Sequence, residues 1–221
     1  MLHREEVVLM LYKYPRTPHL PWSPGKTSDD KVLEDVDCFV GKHIVVSLKM
    51  DGECTTLYHD HIHARSLDSK DHSSRHWVKA LWAQKRWMIT KGLRVCGENL
   101  YARHSIPYDD LESFFLVFSI WAEEACMPYW ATRDLCDAIG LVHVPVIYNG
   151  LWLTKEDGYD MQEFLTNRFA DHPGHEGYVI RSYNDFELKD FGMNVAKYVR
   201  VNHVQTDTHW MHKPVIPNTL G

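Results

Sequence analysis

The feature that most restricts the fold is a set of short apolar segments, rich in β-branched and aromatic residues, that recur between turn residues. The longest is SFFLVFSIWA at residues 113–122, and its unbroken apolar character is typical of a buried strand. Similar segments predict further strands near residues 43–49, 53–59, 62–66, 93–100, 144–150, 176–182 and 195–202. Strands this numerous, with helices between them, predict an α+β fold with a largely antiparallel core.

Helical periodicity appears between these strands. It covers residues 73–89, 132–141 and 157–170, and in the first of these we place Trp77, Ala80 and Leu81 on one face. Residues 27–37 open with TSDD, a capping signature that predicts a short helix. Residues 13–30 hold four of the ten prolines and predict an ordered loop or arm at the N-terminal side of the fold.

Composition limits the class of protein. With 221 residues, 44% of them hydrophobic, the chain can form a core, and we interpret residues 1–221 as one domain without a sizeable C-terminal domain. The net charge of −6 disfavours a large phosphate-tracking surface, although basic residues cluster at 75–94. Five cysteines without a CxxC pair and the absence of a secretory signal predict reduced thiols in the cytoplasm. No apolar run approaches the length of a membrane span.

A lysine ends the apolar run KHIVVSL at residues 42–48. Burial disfavours an ammonium, so we expect the pKa of Lys49 to fall and the neutral amine to be available as a nucleophile. Asp51 and Gly52 force a turn directly behind it. Taken alone, the stretch also fits a surface hairpin with a solvated lysine.

Five motifs in a fixed order narrow this choice. They are KMDGE (49–53), HARS (63–66), GEN (97–99) followed by FFLVFSIW (114–121), HEGYVIR (175–181) and AKYVR (196–200). In this order they resemble the motifs of covalent nucleotidyltransferases, the superfamily of polynucleotide ligases and mRNA capping enzymes. EGYVIR, KYPRTPHL and AKYVRVNH are most similar to the RNA ligase family, near its RNA-ligase-2-like branch. The resemblance extends from about Lys13 to His203 and implies an adenylyltransferase domain whose antiparallel sheets flank an ATP cleft.

The resemblance implies an ATP-dependent RNA ligase. Lys49 takes AMP from ATP, AMP passes to a 5′-phosphate RNA end, and a 3′-hydroxyl end then displaces AMP. Lys197 is expected to hold the α-phosphate. Glu176 is expected to bind Mg²⁺, or Mn²⁺ in its place, largely through water. Because few residues follow the last motif, a partner protein for RNA capture is a further expectation.

Other residues are expected to bind the nucleotide. Glu98 would accept hydrogen bonds from the ribose hydroxyls, and the Phe118 ring would stack on adenine. Leu48 is assigned to the ATP pocket beside the nucleophile, and Arg65 would pair with a phosphate or a carboxylate. By the resemblance, Arg181 contacts phosphate.

The sequence departs from the family pattern at two places. Ser119 stands where an aspartate usually follows the strand aromatic, and Val199 stands where the last motif usually has a second lysine. Arg200 comes one residue later, where strand alternation turns its side chain to the other face unless a bulge re-aims it. Two alternatives therefore stay open: a self-adenylating relative that uses DNA or GTP, and a non-catalytic nucleotide- or RNA-binding module on the same fold.

Two further patterns have competing interpretations. The alternating histidines of HDHIH (59–63) could form a transition-metal site, but without a fourth ligand a solvated strand face explains them better. Arg16, Thr17 and His19 of the arm could contact nucleotide or RNA, or could form a surface loop.

Overall fold

The structure is a computed structural model that describes residues 10–201 and 214–221. These residues form eleven strands and three α-helices. The strands are β1 (His43–Lys49), β2 (Glu53–Tyr58), β3 (Ile62–Ala64), β4 (Leu93–Asn99), β5 (Phe115–Ala122), β6 (Ala125–Cys126), β7 (Val142–His143), β8 (Val146–Leu151), β9 (Gly177–Ser182), β10 (Phe186–Glu187) and β11 (Val195–Val199). The helices are α1 (His76–Lys85), α2 (Tyr129–Ile139) and α3 (Met161–Ala170). None of these helices has the length and apolar character needed to cross a bilayer.

The strands form two largely antiparallel sheets. The small sheet has the order β11-β9-β1-β8, and the large sheet has the order β10-β6-β5-β4-β2-β3. The short strand β7 pairs in parallel with β5. This arrangement confirms the predicted α+β class with antiparallel sheets.

The hydrophobic cores pack on one face of each sheet, and the opposite faces line a cleft. Ile44 of β1 and Tyr178 of β9 pack with Leu165 of α3 in the largest apolar cluster. On the large sheet, Val95 of β4 packs with Val78 of α1. Because side chains alternate along a strand, the residues next to Val95 point away from the helices.

The helix predicted at residues 27–37 is wrong. The backbone N–H and the hydroxyl of Thr27 both donate to Oδ2 of Asp30, at 2.9 and 3.0 Å. These bonds close a turn, and the chain then continues as irregular structure. A capping signature is equally suited to a turn, since it satisfies local N–H groups in either case.

Some details of the predicted helices also differ. Ala80, which we placed on the same face as Trp77 and Leu81, is exposed, and Val78 is the fully buried residue of α1. Helix α3 starts later than predicted, at Met161, because Asp160 caps it by accepting a backbone N–H.

The proline-rich arm lies along β11 as an ordered edge. The Lys197 N–H donates to the Pro18 carbonyl at 2.9 Å, and the Leu20 N–H donates to the Lys197 carbonyl at 2.8 Å. Farther along, the Gly25 N–H donates to the Val199 carbonyl at 2.8 Å. The arm therefore extends the small sheet.

Candidate active site

A cleft of about 760 Å³ is lined by residues of both sheets and of the arm. Its volume is within the range of pockets that bind small ligands. The cleft brings together most of the predicted site residues. They are Leu48, Lys49, Arg65, Glu98, Phe118, Arg181 and Lys197. Glu176, the remaining one, is bonded to Lys49.

The register of the small sheet places Lys49 against Glu176. Lys49 of β1 lies opposite Gly177, the first residue of β9, so the preceding residue, Glu176, is next to the lysine side chain. Nζ of Lys49 donates to Oε2 of Glu176 at 2.6 Å. The lysine side chain is 24% exposed and that of the glutamate 10%. This is a partly buried ion pair at the wall of the cleft.

The prediction that the pKa of Lys49 falls is wrong. Burial does lower the pKa of Lys49, but the carboxylates of Glu176, Glu98 and Asp51 raise it by more, and the net pKa is above the ordinary lysine value. The group is therefore an ammonium in the free protein at neutral pH. Nucleophilic attack requires that the negative charge around it be offset.

Asp51 and Gly52 fix the turn behind the lysine. Oδ2 of Asp51 accepts the backbone N–H groups of Ser105 and Ile106, both at 2.8 Å. A Cβ at Gly52 would lie 3.0 Å from Cγ of Glu98 and closer still to the neighbouring backbone. The aspartate thus anchors the turn, and the glycine lets the turn pack closely beside Glu98.

Glu98 lies on β4, opposite Cys54 of β2, and lines the cleft. Burial raises its pKa to about 8, with Glu176 and Asp51 adding to the rise and Lys49 opposing it. Its carboxyl group is therefore largely protonated at neutral pH. A protonated carboxyl both donates and accepts hydrogen bonds, which suits it to a pair of hydroxyl groups.

A β-bulge turns Phe118 towards the cleft. The pairing of β5 with β4 shifts between Cys96 and Gly97, and Phe118 is the extra residue on β5. Its ring is partly exposed and lines the cleft, whereas the neighbouring Phe115 is fully buried. Tyr14 of the arm packs edge-on against the Phe118 ring, with the ring centroids 5.0 Å apart. Of the aromatic residues of β5, Phe118 is the one that lines the cleft.

The two departures from the family pattern have local explanations. Oγ of Ser119 accepts the indole N–H of Trp121 at 3.0 Å, so a small hydroxyl fills the place of the aspartate. Val199 is buried, and Nε of Arg200 donates to the His175 carbonyl at 2.8 Å. Within the described chain, Arg200 is not among the residues that line the cleft.

The remaining predicted cations differ in their surroundings. Lys197 of β11 is partly buried, with Nζ 3.9 Å from Oδ1 of Asp30, and burial, followed by the charge of Lys49, lowers its pKa. Arg65 follows β3 and lines the cleft. Arg181 is buried, and its Nη2 donates to the Met127 carbonyl at 2.8 Å. Its guanidinium is thus partly committed to the backbone.

Sequence reasoning missed an ion pair at the cleft. Nε and Nη2 of Arg75 donate to the two carboxylate oxygens of Glu53, at 2.7 and 2.5 Å. The only sequence signal for it was the acid that follows the Asp-Gly turn, because Arg75 comes from a distant segment.

The C-terminal residues were also overlooked. Oδ1 of Asn218 accepts the Tyr108 N–H at 2.9 Å, and its Nδ2 donates to the Leu100 carbonyl at 2.7 Å. The loop that these bonds hold is the one whose N–H groups bind Asp51. Residues 214–221 therefore help to support the lysine turn.

The histidines of HDHIH and the residues of the arm have different surroundings in the structure. His59 and His63 each bond a backbone carbonyl through Nδ1. Within residues 10–201 and 214–221 no three His, Cys, Asp or Glu residues are grouped to hold a metal ion. Arg16 and Thr17 line the cleft, whereas His19 is buried.

Together, the two antiparallel sheets form an α+β domain whose cleft is lined by a lysine at the end of a strand. The family model for RNA ligase matches residues 42–199, which is more than half of the chain. The chain belongs to the RNA ligase family. No curated protein matches it.

Solved structures share the fold. An archaeal ATP-dependent RNA ligase is 16% identical, with a TM-score of 0.55, and the match covers 86% of this chain and 48% of that one. A Naegleria gruberi RNA ligase mutant with ATP and Mn is 15% identical, with a TM-score of 0.50 and coverage of 77% and 53%. An apo mutant of the Naegleria enzyme is 14% identical, with a TM-score of 0.51. The chain spans about half the length of these ligases.

Proposed function

We propose that the chain is an ATP-dependent RNA ligase that joins 5′-phosphate and 3′-hydroxyl ends through a lysyl-AMP intermediate. The observation that carries this proposal is the convergence of Lys49, Glu98, Glu176 and Lys197 on one cleft. The family match supports it because residues 42–199 include each of these side chains. The Naegleria ligase structures that hold ATP or AMP with Mn support ATP as the AMP donor.

In the first step, unprotonated Nζ of Lys49 attacks the α-phosphorus of ATP. An N–P bond forms, the bond from phosphorus to the pyrophosphate oxygen breaks, and pyrophosphate leaves. The lysine proton has its nearest acceptor in Glu176, at 2.6 Å. The ammonium of Lys197 holds the α-phosphate oxygens, on which negative charge must be balanced.

The carboxylates in the cleft suit a divalent cation bound with few protein ligands. Glu176 is bonded to Lys49, and carboxylate oxygens are the ligands that Mg²⁺ prefers. Glu176 would hold the ion, largely through water. When bound, it would supply positive charge that offsets the carboxylates and the triphosphate.

Other residues of the cleft would bind the nucleoside. The Phe118 ring stacks on adenine, and Glu98 bonds the ribose hydroxyls, while Leu48 contributes to the pocket wall. Arg65 pairs with phosphate. Arg181 would contact phosphate through the guanidinium N–H groups that do not donate to backbone carbonyls of other residues.

In the later steps AMP passes from Lys49 to the 5′-phosphate of RNA, and the 3′-hydroxyl end displaces AMP. A partner protein that captures RNA would assist these steps. The five cysteines are free thiols, which suits a reducing, cytoplasmic compartment.

The proposal is tested by labelling. The protein is incubated with ATP or GTP labelled at the α-phosphate, and Lys49→Ala is compared with Lys42→Ala, which removes an exposed lysine just before β1. We expect label from ATP in the wild type and in Lys42→Ala, and complete loss in Lys49→Ala. Mass spectrometry should show one added AMP that pyrophosphate removes.

Other outcomes would support other functions. Label from GTP, or activity on DNA ends alone, would indicate the self-adenylating relative. Nucleotide binding without label would indicate a binding module, and label retained by Lys49→Ala would refute the nucleophile.

A further inference from the structure

The arm carries a buried histidine that the proposed chemistry does not use. His19 is 1% exposed. Its Nδ1 lies 2.8 Å from Oγ of Ser23, and its Nε2 lies 3.4 Å from Oδ2 of Asp30. The backbone pairing of the arm with β11 places this ring beside the strand that carries Lys197.

The hydrogen positions follow from the partners of His19. Burial, followed by the charge of Lys197, lowers the pKa of His19 to about 4, so its ring is neutral at pH 7. Because a carboxylate only accepts hydrogen bonds, Nε2 donates to Asp30 and Nδ1 accepts from the Ser23 hydroxyl. Oγ of Ser23 in turn accepts the Val199 N–H at 2.9 Å. The chain of bonds thus runs from β11 through Ser23 and His19 to Asp30.

Asp30 is the residue through which this chain of bonds reaches the cleft. Its Oδ2 also accepts the N–H and the hydroxyl of Thr27, so the carboxylate is held from two sides. Its Oδ1 lies 3.9 Å from Nζ of Lys197. We propose that Asp30 is a positioning residue for Lys197. Its carboxylate keeps the Lys197 ammonium charged and directed at the α-phosphate. The inference rests on the proposed function only for the role of Lys197 in phosphate binding.

The surroundings of Lys197 explain why a counter-charge is needed. Burial, the Lys49 ammonium and Arg65 lower the pKa of Lys197, whereas Asp30 and Glu176 raise it. Glu176 is bonded directly to Lys49. Asp30 is therefore the main carboxylate that acts on Lys197 itself.

The first test needs neither ATP nor ligase activity. Competitive acetylation, read by mass spectrometry from pH 7 to about pH 11, gives the titration midpoint of Lys197 in the wild type, in Asp30→Asn and in Glu34→Gln. The last variant removes an exposed carboxylate from the same segment. We expect the midpoint to fall by about one pH unit in Asp30→Asn and to stay unchanged in Glu34→Gln. Equal midpoints in Asp30→Asn and the wild type would overturn the inference.

The second test measures label transfer. Asp30→Asn should raise the KM for ATP by about three- to tenfold, with a smaller effect on kcat, since a partly exposed ion pair is lost. Thr27→Ala, which removes one donor to Asp30 but keeps the backbone pairing, should raise KM by a smaller factor. Unchanged KM in both variants would overturn the inference. A wild type without lysyl-AMP would instead refute the proposed function, while the acetylation test would still apply.

Discussion

Glu98 should make the protein less stable as pH rises, and Glu98→Gln should remove that effect. The pKa of Glu98 is about 8 in the folded protein, against an ordinary value of 4.5. Between these two values the folded state keeps a proton that the unfolded chain has lost. Because the folded state binds more protons in this window, stability falls as pH rises from about 4.5 to about 8 and stays low above it.

The size of this change in the free energy of unfolding follows from the pKa shift of Glu98. Each pKa unit corresponds to about 1.4 kcal/mol. Because the cleft is open to water, we take about half of the full value, which gives a loss of about 2 kcal/mol between pH 5 and pH 8.5. The opposite slopes of His19 and His143, whose pKa values are lowered to about 4, cancel when the wild type is compared with the variant.

Urea unfolding at the two pH values provides the assay. The wild type should lose about 2 kcal/mol more than Glu98→Gln between pH 5 and pH 8.5. Glu112→Gln, which removes an exposed carboxylate, should behave as the wild type. If Glu98→Gln shows the same pH dependence as the wild type, Glu98 titrates normally and the electrostatic description of the cleft is wrong.

Two further variants test the geometry of the cleft. Phe118→Ala should weaken ATP binding by about 1–3 kcal/mol in calorimetry because a stacking ring is lost; unchanged affinity would return Phe118 to a purely structural role. Gly177→Ala should destabilise the fold by about 2 kcal/mol or more in urea unfolding, since the new Cβ would lie 1.9 Å from the Tyr198 carbonyl oxygen. Gly192→Ala, which has no atom within 4 Å of the new Cβ, is its control, and equal stabilities would contradict the close approach of β9 and β11.

The parts of the site that short-range signals encode could be predicted from the sequence. The strand that ends at Lys49, the Asp-Gly turn behind it and the strand that begins at Gly177 depend on neighbouring residues, and the structure has them where the motifs placed them. Phe118 lies on a predicted strand, but only the bulge in the structure shows why this aromatic lines the cleft.

Long-range electrostatics could not be predicted in the same way. The sign of the Lys49 pKa shift depends on Glu176 and Glu98, which lie on other segments of the chain. Burial alone, the effect visible in the apolar run before Lys49, gives the opposite sign. The pairing of Glu53 with Arg75 has the same character, because nothing local indicates which charges will meet.

The arm shows a different limit of structure prediction from the sequence. TSDD is compatible with a helix or with a turn. What decides between them is the pairing of Pro18, Leu20 and Gly25 with β11, which fixes the path of the chain before it reaches Thr27. Such a tertiary preference has no signature within the segment itself.

This pairing also affects how separate molecules meet. β11 is one end of the small sheet, and a terminal strand with unpaired N–H and C=O groups is a template on which another polypeptide can add. Pro18, Leu20 and Gly25 occupy such groups on Lys197 and Val199. A chain trimmed past Gly25 would present them to its neighbours, so its main liability would be strand-to-strand aggregation.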